Sequence, residues 1–88
     1  MAENPRLQRV IQELFRGATI PGGTAGAVRH EVRTGTLVGG KSHLRKAIER
    51  RRQLQRILSR ERLSPQDRST AQQLLDDLSA ALREAGLD

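Results

Sequence analysis

The chain contains no cysteine, tryptophan or tyrosine, and its one aromatic residue is Phe15. Without cysteine no disulfide can brace the fold, and nothing in the composition points to an oxidising compartment. A single ring is too little for gripping single-stranded nucleic acid by base stacking, and it leaves Leu, Ile, Val and Ala to build the core. Long apolar runs are also missing. None approaches the ~20 residues of a bilayer-spanning helix, so no membrane insertion is expected. The N-terminus lacks the apolar region of a secretory signal, so action outside the cell of origin calls for another carrier. The only histidines are His30 and His43. Two histidines with no cysteine and no adjacent pair of acids make a poor metal set, and neither a metal nor another cofactor is expected.

What is present is positive charge, unevenly spread. The 88 residues carry a net charge of +6. Residues 1–28 set Arg6, Arg9 and Arg16 against Glu3 and Glu13, for a net of +1. Residues 29–62 set eleven Lys or Arg against Glu31, Glu49 and Glu61, for a net of +8, and residues 63–88 are at −3. Fourteen of the sixteen cations are arginine, whose planar fork binds phosphate through two parallel hydrogen bonds. An arginine-rich block suits a polyanion, most simply RNA. A solvated helix face is the plainer alternative.

A chain of this length is one domain, spanning 1–88. The pattern predicts a mainly α fold of three amphipathic helices, at about 5–16, 42–62 and 64–85, with a Gly-rich loop or small β-hairpin over 18–41. In the first helix Asn4 is the N-cap and Pro5 the first helical residue. Leu7, Val10, Ile11, Leu14 and Phe15 recur at helical spacing, and Gly17 follows as a stop. In the second helix Ser42 is the N-cap candidate, and Leu44, Ala47, Ile48, Leu54, Ile57 and Leu58 form the stripe. The third opens with Ser64, Pro65 and Asp67 in capping-box positions. Its apolar face runs from Ala71 to Ala85, and Gly86 stops it. The short link at Leu63 makes 44–88 a helical hairpin.

The stretch 18–43 is different, and it is the expected active loop behind a leading helix at 1–17. Six of the eight glycines lie between Ile20 and His43. Glycine is costly inside an element, so such a cluster suggests sharp turns or close approach to a ligand. Val28 to Arg33 reads as a short strand, with Val28, His30 and Val32 on one face and Arg29, Glu31 and Arg33 on the other. Thr34-Gly35 would then turn it into Thr36-Leu37-Val38. A compact loop is the alternative.

Gly35 to Ser42 matches G-x-x-x-x-G-K-[ST], the phosphate-binding loop of nucleoside triphosphatases. That motif needs a buried strand before it and a second strand ending in an acid that holds magnesium. After Ser42 the pattern is helical throughout, so the triphosphatase reading is rejected. The local chemistry survives. Backbone N–H groups around Gly39, Gly40 and Ser42, at the start of a helix and beside Lys41, can cradle a phosphate. The plain alternative is a loop that caps the helix.

RNA can be cut without a metal if a base takes the 2′-hydroxyl proton, an acid protonates the leaving oxygen and a cation stabilises the phosphorane. Histidine fills either proton role near neutrality. The candidates are His43 with Lys41, or else His30 or Glu31 as the proton-transfer group. Arg29, Arg33, Arg45, Arg50 and Arg52 are candidates to hold the nucleic-acid backbone. Each histidine also has a plain reading, His43 as a solvated first-turn residue and His30 as a half-buried structural one.

The run IPGGTAGAVRHEVRTGTLVGGKSH, followed by KAIERRRQLQRIL and LSPQDRSTAQQLLDDLSAAL, resembles C-terminal toxin domains of bacterial polymorphic toxins. These sit at the ends of Rhs and contact-dependent inhibition proteins, and the class in question is mainly α-helical and proposed to act on RNA. The resemblance covers about residues 18–85. Its most specific parts are Gly22-Gly23-Thr24-Ala25-Gly26, Thr34-Gly35 and Gly39-Gly40-Lys41-Ser42-His43. It implies a ribonuclease toxin of interbacterial competition, secreted or delivered by a larger parent protein, acting in the target-cell cytoplasm on tRNA or rRNA. It also implies a cognate immunity protein, for which the basic block suggests an acidic surface. The site residues above rest on chemistry, not on the resemblance. Two other readings stay open. One is a basic nucleic-acid-binding module without catalysis. The other is a helical hairpin that docks a protein and leaves an apolar patch exposed for it.

Overall fold

The computed structural model describes residues 2–15, 22–35 and 43–87. Its elements are four helices: α1 (Pro5–Phe15), α2 (Gly23–Thr34), α3 (Leu44–Arg60) and α4 (Pro65–Glu84). There is no strand among the described residues. Three helices lie close to their expected bounds. The fourth, α2, occupies the stretch read as a hairpin or loop.

α1 starts as its sequence requires. The Asn4 Oδ1 accepts from the amides of Arg6 at 2.9 Å and Leu7 at 3.1 Å, which satisfies donors that the first turn leaves open. Leu7, Val10 and Leu14 are buried, but Phe15, expected in the same stripe, is 46% exposed. The ring of Phe15 lies instead over Gly23, where a Cβ would stand 2.7 Å from it.

The hairpin expectation fails for a physical reason. Val28 and Val32 are four residues apart, a spacing that fits a strand face and a helix face equally. Gly35 decides between them: it is left-handed at φ 69° and its N–H donates to the Glu31 carbonyl. It is therefore the C-terminal stop of a helix rather than the corner of a hairpin, and Val32 ends up exposed while Val28 is fully buried. The other proposed strand, 36–38, lies outside the described residues.

α2 begins by docking on the end of α1. Gly23 has φ +60°, and a Cβ there would meet the Leu14 carbonyl oxygen at 2.6 Å. Thr24, buried beside it, donates its hydroxyl to that same carbonyl at 2.9 Å. The last-turn carbonyl of one helix thus accepts from the first turn of the next. Thr24, Ala25 and Val28 then face the core.

α3 and α4 form the antiparallel hairpin, and α2 packs against α4 while α1 packs against α3. Leu7, Leu54, Leu78, Leu82 and Val28 are the largest fully buried side chains. Burying each contributes roughly 1.5–3 kcal/mol. α4 opens as read, with Ser64 Oγ accepting from the Asp67 amide at 3.1 Å. The Asp67 carboxylate does something the sequence did not suggest. It is buried and accepts from the amides of Glu3, at 3.1 and 3.0 Å, and of Asn4, at 2.8 Å. The entry to α1 is thereby tied to the start of α4. At the far end Gly86, with φ 77°, and Leu87 return their N–H groups to Arg83 and Leu82.

Gly23 and Gly35 offer a controlled comparison, because both hold a left-handed backbone but only Gly23 is crowded; nothing lies within 4 Å of a Cβ at Gly35. Gly35→Ala should cost the backbone penalty alone, about 1–2 kcal/mol. Gly23→Ala should cost distinctly more. At about 4–8 °C per kcal/mol for a domain of this size, thermal melts resolve the difference. Equal melting points for the two variants would show that the close approach carries no energy.

Candidate active site

Once residues 23–34 are a helix, the side chains of that segment sort differently. Successive residues turn by about 100°, so Arg29 and Arg33 share one side and Glu31 faces nearly the opposite way. The strand reading had placed all three together. Glu31 points to the start of α3 and meets His43. Its Oε2 lies 2.7 Å from His43 Nδ1, and its Oε1 accepts from the His43 backbone N–H at 3.1 Å. The Glu31 side chain is only 7% exposed and that of His43 25%.

His43 itself is the residue before the first turn of α3, with φ −101° and no capping bond from its side chain. The expected start at Ser42 is displaced by a residue or so, within the usual variation of helix ends. A carboxylate can only accept, so Nδ1 must carry the hydrogen that joins them. That fixes the ring orientation, and in the neutral ring it leaves the lone pair on Nε2. A carboxylate in this place holds the ring in one orientation, as in the Asp–His pair of hydrolases.

The other candidates fall in several places. Lys41, Gly39, Gly40 and Ser42 lie outside the described residues. His30 is half-buried on α2, and its imidazole has no hydrogen bond among the described residues; only its carbonyl is engaged, by Thr34 Oγ1 at 2.8 Å. Arg45 is almost fully exposed, with a 3.9 Å contact to Glu49, and Arg52 is exposed as well. Arg50 is mostly enclosed, turned toward α1. The element before Gly35 is a helix, so the strand required by the triphosphatase loop is not there.

Arg29 is fully used by the fold. Its Nη1 pairs with Asp77 at 2.6 Å, its Nε with Glu84 at 2.9 Å, and its Nη2 donates to the Asp77 carbonyl at 3.2 Å. The hydrogen bond to Asp77, seconded by Glu84, holds the guanidinium above its ordinary pKa against the opposing effect of burial. Arg33 touches Glu84 more loosely, at 3.4 Å. These arginines join α2 to α4, and two acids of the negative C-terminal segment are spent on them.

The sequence did not reveal a cleft of about 340 Å³ between α1 and α3, with Arg6, Arg9, Arg50, Gln53, Arg56 and Arg60 in its walls. The available signal was Arg6 and Arg9, three residues apart and flanking Leu7 and Val10, but the N-terminal segment is near neutral in sum and hid them. Within α3 and α4 no large apolar residue is exposed; among the described residues those that are exposed are Phe15, Val32 and, just past α4, Leu87. No helix among the described residues is long and apolar enough to cross a membrane. No known protein family, curated protein or solved structure matches this chain.

The reassignment of Arg29 can be checked. Arg29→Ala should lower stability by about 1 kcal/mol, since the pair is partly solvent-screened, and should leave affinity for nucleic acid unchanged. Weakened RNA binding with an unaltered melting point would return Arg29 to the phosphate-binding set.

Proposed function

We propose that this domain is a metal-independent ribonuclease toxin in which His43 transfers the proton and Glu31 orients it. The carrying observation is the two-point contact of the Glu31 carboxylate with His43, at 2.7 Å to the ring and 3.1 Å to the backbone. It supports His43 over Glu31 as the proton-transfer group, because both carboxylate oxygens are already engaged by the histidine. His43 Nε2 takes the proton of a ribose 2′-hydroxyl. The freed oxygen attacks the adjacent phosphorus, the bond to the 5′-oxygen breaks, and that oxygen takes a proton from solvent, leaving a 2′,3′-cyclic phosphate. The imidazolium then returns its proton to solvent. Lys41, two residues before His43 in the chain, is the proposed cation for the phosphorane, as the sequence suggests.

The wider reading follows from the resemblance and the charge. The substrate is a cellular RNA such as tRNA or rRNA, the domain reaches the target-cell cytoplasm as part of a larger effector, and an acidic immunity protein restrains it in the producing cell. Opposite charge would speed that association. The arginine cleft gives specific support to a second reading, a nucleic-acid-binding module without catalysis. The docking-hairpin reading has less support, because the apolar faces of α3 and α4 are turned inward.

The test is single-turnover cleavage of total bacterial RNA in excess EDTA, with melting curves run in parallel. His43→Ala should slow cleavage by ~10²–10⁴-fold, the usual worth of general acid–base catalysis, with little change in binding. Glu31→Gln keeps a ring acceptor but no charge, and should fall between wild type and His43→Ala. His30→Ala should cleave like wild type. Cleavage that vanishes in EDTA and returns with magnesium would defeat the metal-free mechanism. A His43→Ala variant that is folded and fully active would defeat the residue assignment.

A further inference from the structure

We infer that the cleft between α1 and α3 is a groove that holds the phosphate backbone of a nucleic-acid strand. The inference rests on the nucleic-acid reading of the domain but not on its catalysis. Five arginines line this cleft, against the single acidic residue Glu61. Glu61 is occupied by Arg6 at 2.8 Å and by the Asn4 amide at 3.3 Å. The side chains of Arg9, Arg56 and Arg60 have no ion pair or hydrogen bond among the described residues. An anion entering the cleft meets like charge from two helices at once, which favours its binding.

Arg50 and Gln53 of the α3 wall add more than charge. Arg50 Nε and Gln53 Oε1 are both buried with no hydrogen-bond partner, and the remaining Arg50 contact is a 3.6 Å approach to Glu49. Buried polar groups are nearly always paired, so two unmet groups, a donor and an acceptor one turn apart on α3, set this wall of the cleft apart. The Arg50 fork suits a phosphate oxygen. Gln53 Oε1 cannot take an anion and needs a donor, such as a ribose hydroxyl or a base amino group beside the phosphate. A nucleotide unit offers both together, with the phosphate and the donor held at a fixed spacing. The volume, about 340 Å³, falls at the small end of ligand pockets and has room for more than a bare phosphate.

The groove also has direction. From Arg50 to Arg60 it follows α3 for roughly 15 Å at 1.5 Å per residue, and a strand carries its charges at regular intervals. Arg50 follows His43 by seven residues, which returns it to nearly the same side of the helix, about 10 Å along the axis. A strand lying in the groove therefore runs toward His43.

The experiment uses the full chain and a 2′-O-methyl oligoribonucleotide, whose blocked 2′-oxygen cannot attack, so that binding is read without chemistry. The Arg50 Nε–H resonance is followed by NMR and affinity by fluorescence anisotropy at several salt concentrations. Saturation with the oligomer should shift that resonance. R9Q/R56Q should bind at least tenfold more weakly and lower the slope of log affinity against log salt by about two. Because both side chains are unpartnered, the variant should melt like wild type, and Arg50→Gln provides a second probe from the α3 wall. An unmoved resonance at saturation overturns the inference, and so does an unchanged salt slope. A nucleoside monophosphate that binds as tightly as the oligomer would make the cleft a small-molecule site instead. Polyglutamate binding as tightly would make it a surface for acidic proteins. A chain that binds the oligomer through Arg50 yet cuts no RNA defeats the ribonuclease reading and leaves the groove standing. Cleavage with Arg50 unmoved does the reverse.

Discussion

Everything at the His43 site depends on how closely α2 can approach the end of α1. The contact is backbone against backbone at Gly23, with the Thr24 hydroxyl donating to the Leu14 carbonyl. It fixes where α2 starts and in which direction it leaves. Eight residues further on, roughly 12 Å along the helix, Glu31 arrives beside His43. A side chain at Gly23 would displace that start, and the carboxylate would no longer reach both the ring and the backbone N–H of its partner. A residue with no chemistry of its own thus controls the geometry of the two that have it.

Two further ties hold α2 and its neighbours in place from other sides. Arg29 fastens the middle of α2 to Asp77 and Glu84 of α4. Asp67 fastens the chain before α1 to the start of α4 through the amides of Glu3 and Asn4. Both ties are polar and bridge segments distant in sequence. They suit a small domain with one aromatic residue, in which apolar burial alone leaves little margin.

The helices that could be read from the sequence are those with marked ends and large apolar residues. Asn4-Pro5, Ser64-Pro65 and Gly86 announce their boundaries, and Leu-rich stripes give α1, α3 and α4 their period. α2 has neither advantage. Its buried face is built from Gly, Thr, Ala and one Val, too small to give a period, and its terminal glycine reads as well for a turn. The site was obscured by the same error. Glu31 and His43 can each be singled out by chemical type, but only a helical α2 turns Glu31 away from Arg29 and toward His43. The cleft was hidden for a different reason, because its arginines come from helices about forty residues apart in the chain and only packing brings them together.

The pairing of Arg29 and Arg33 with the acids of α4 also has an effect at a distance. It cancels charge on the α2–α4 side, while Arg9 of α1 and Arg56 and Arg60 of α3 carry side chains with no acidic partner among the described residues, so the domain's charge is unevenly distributed. The molecule is 39 Å long and 16 Å at its thinnest, and the screening length in physiological salt is about 8 Å. A polyanion coming up to the α3 side would feel the arginines and little of what lies beyond them. The torque acts before any atom touches, turning the cationic flank forward, so that collisions become productive more often without any gain in contact strength.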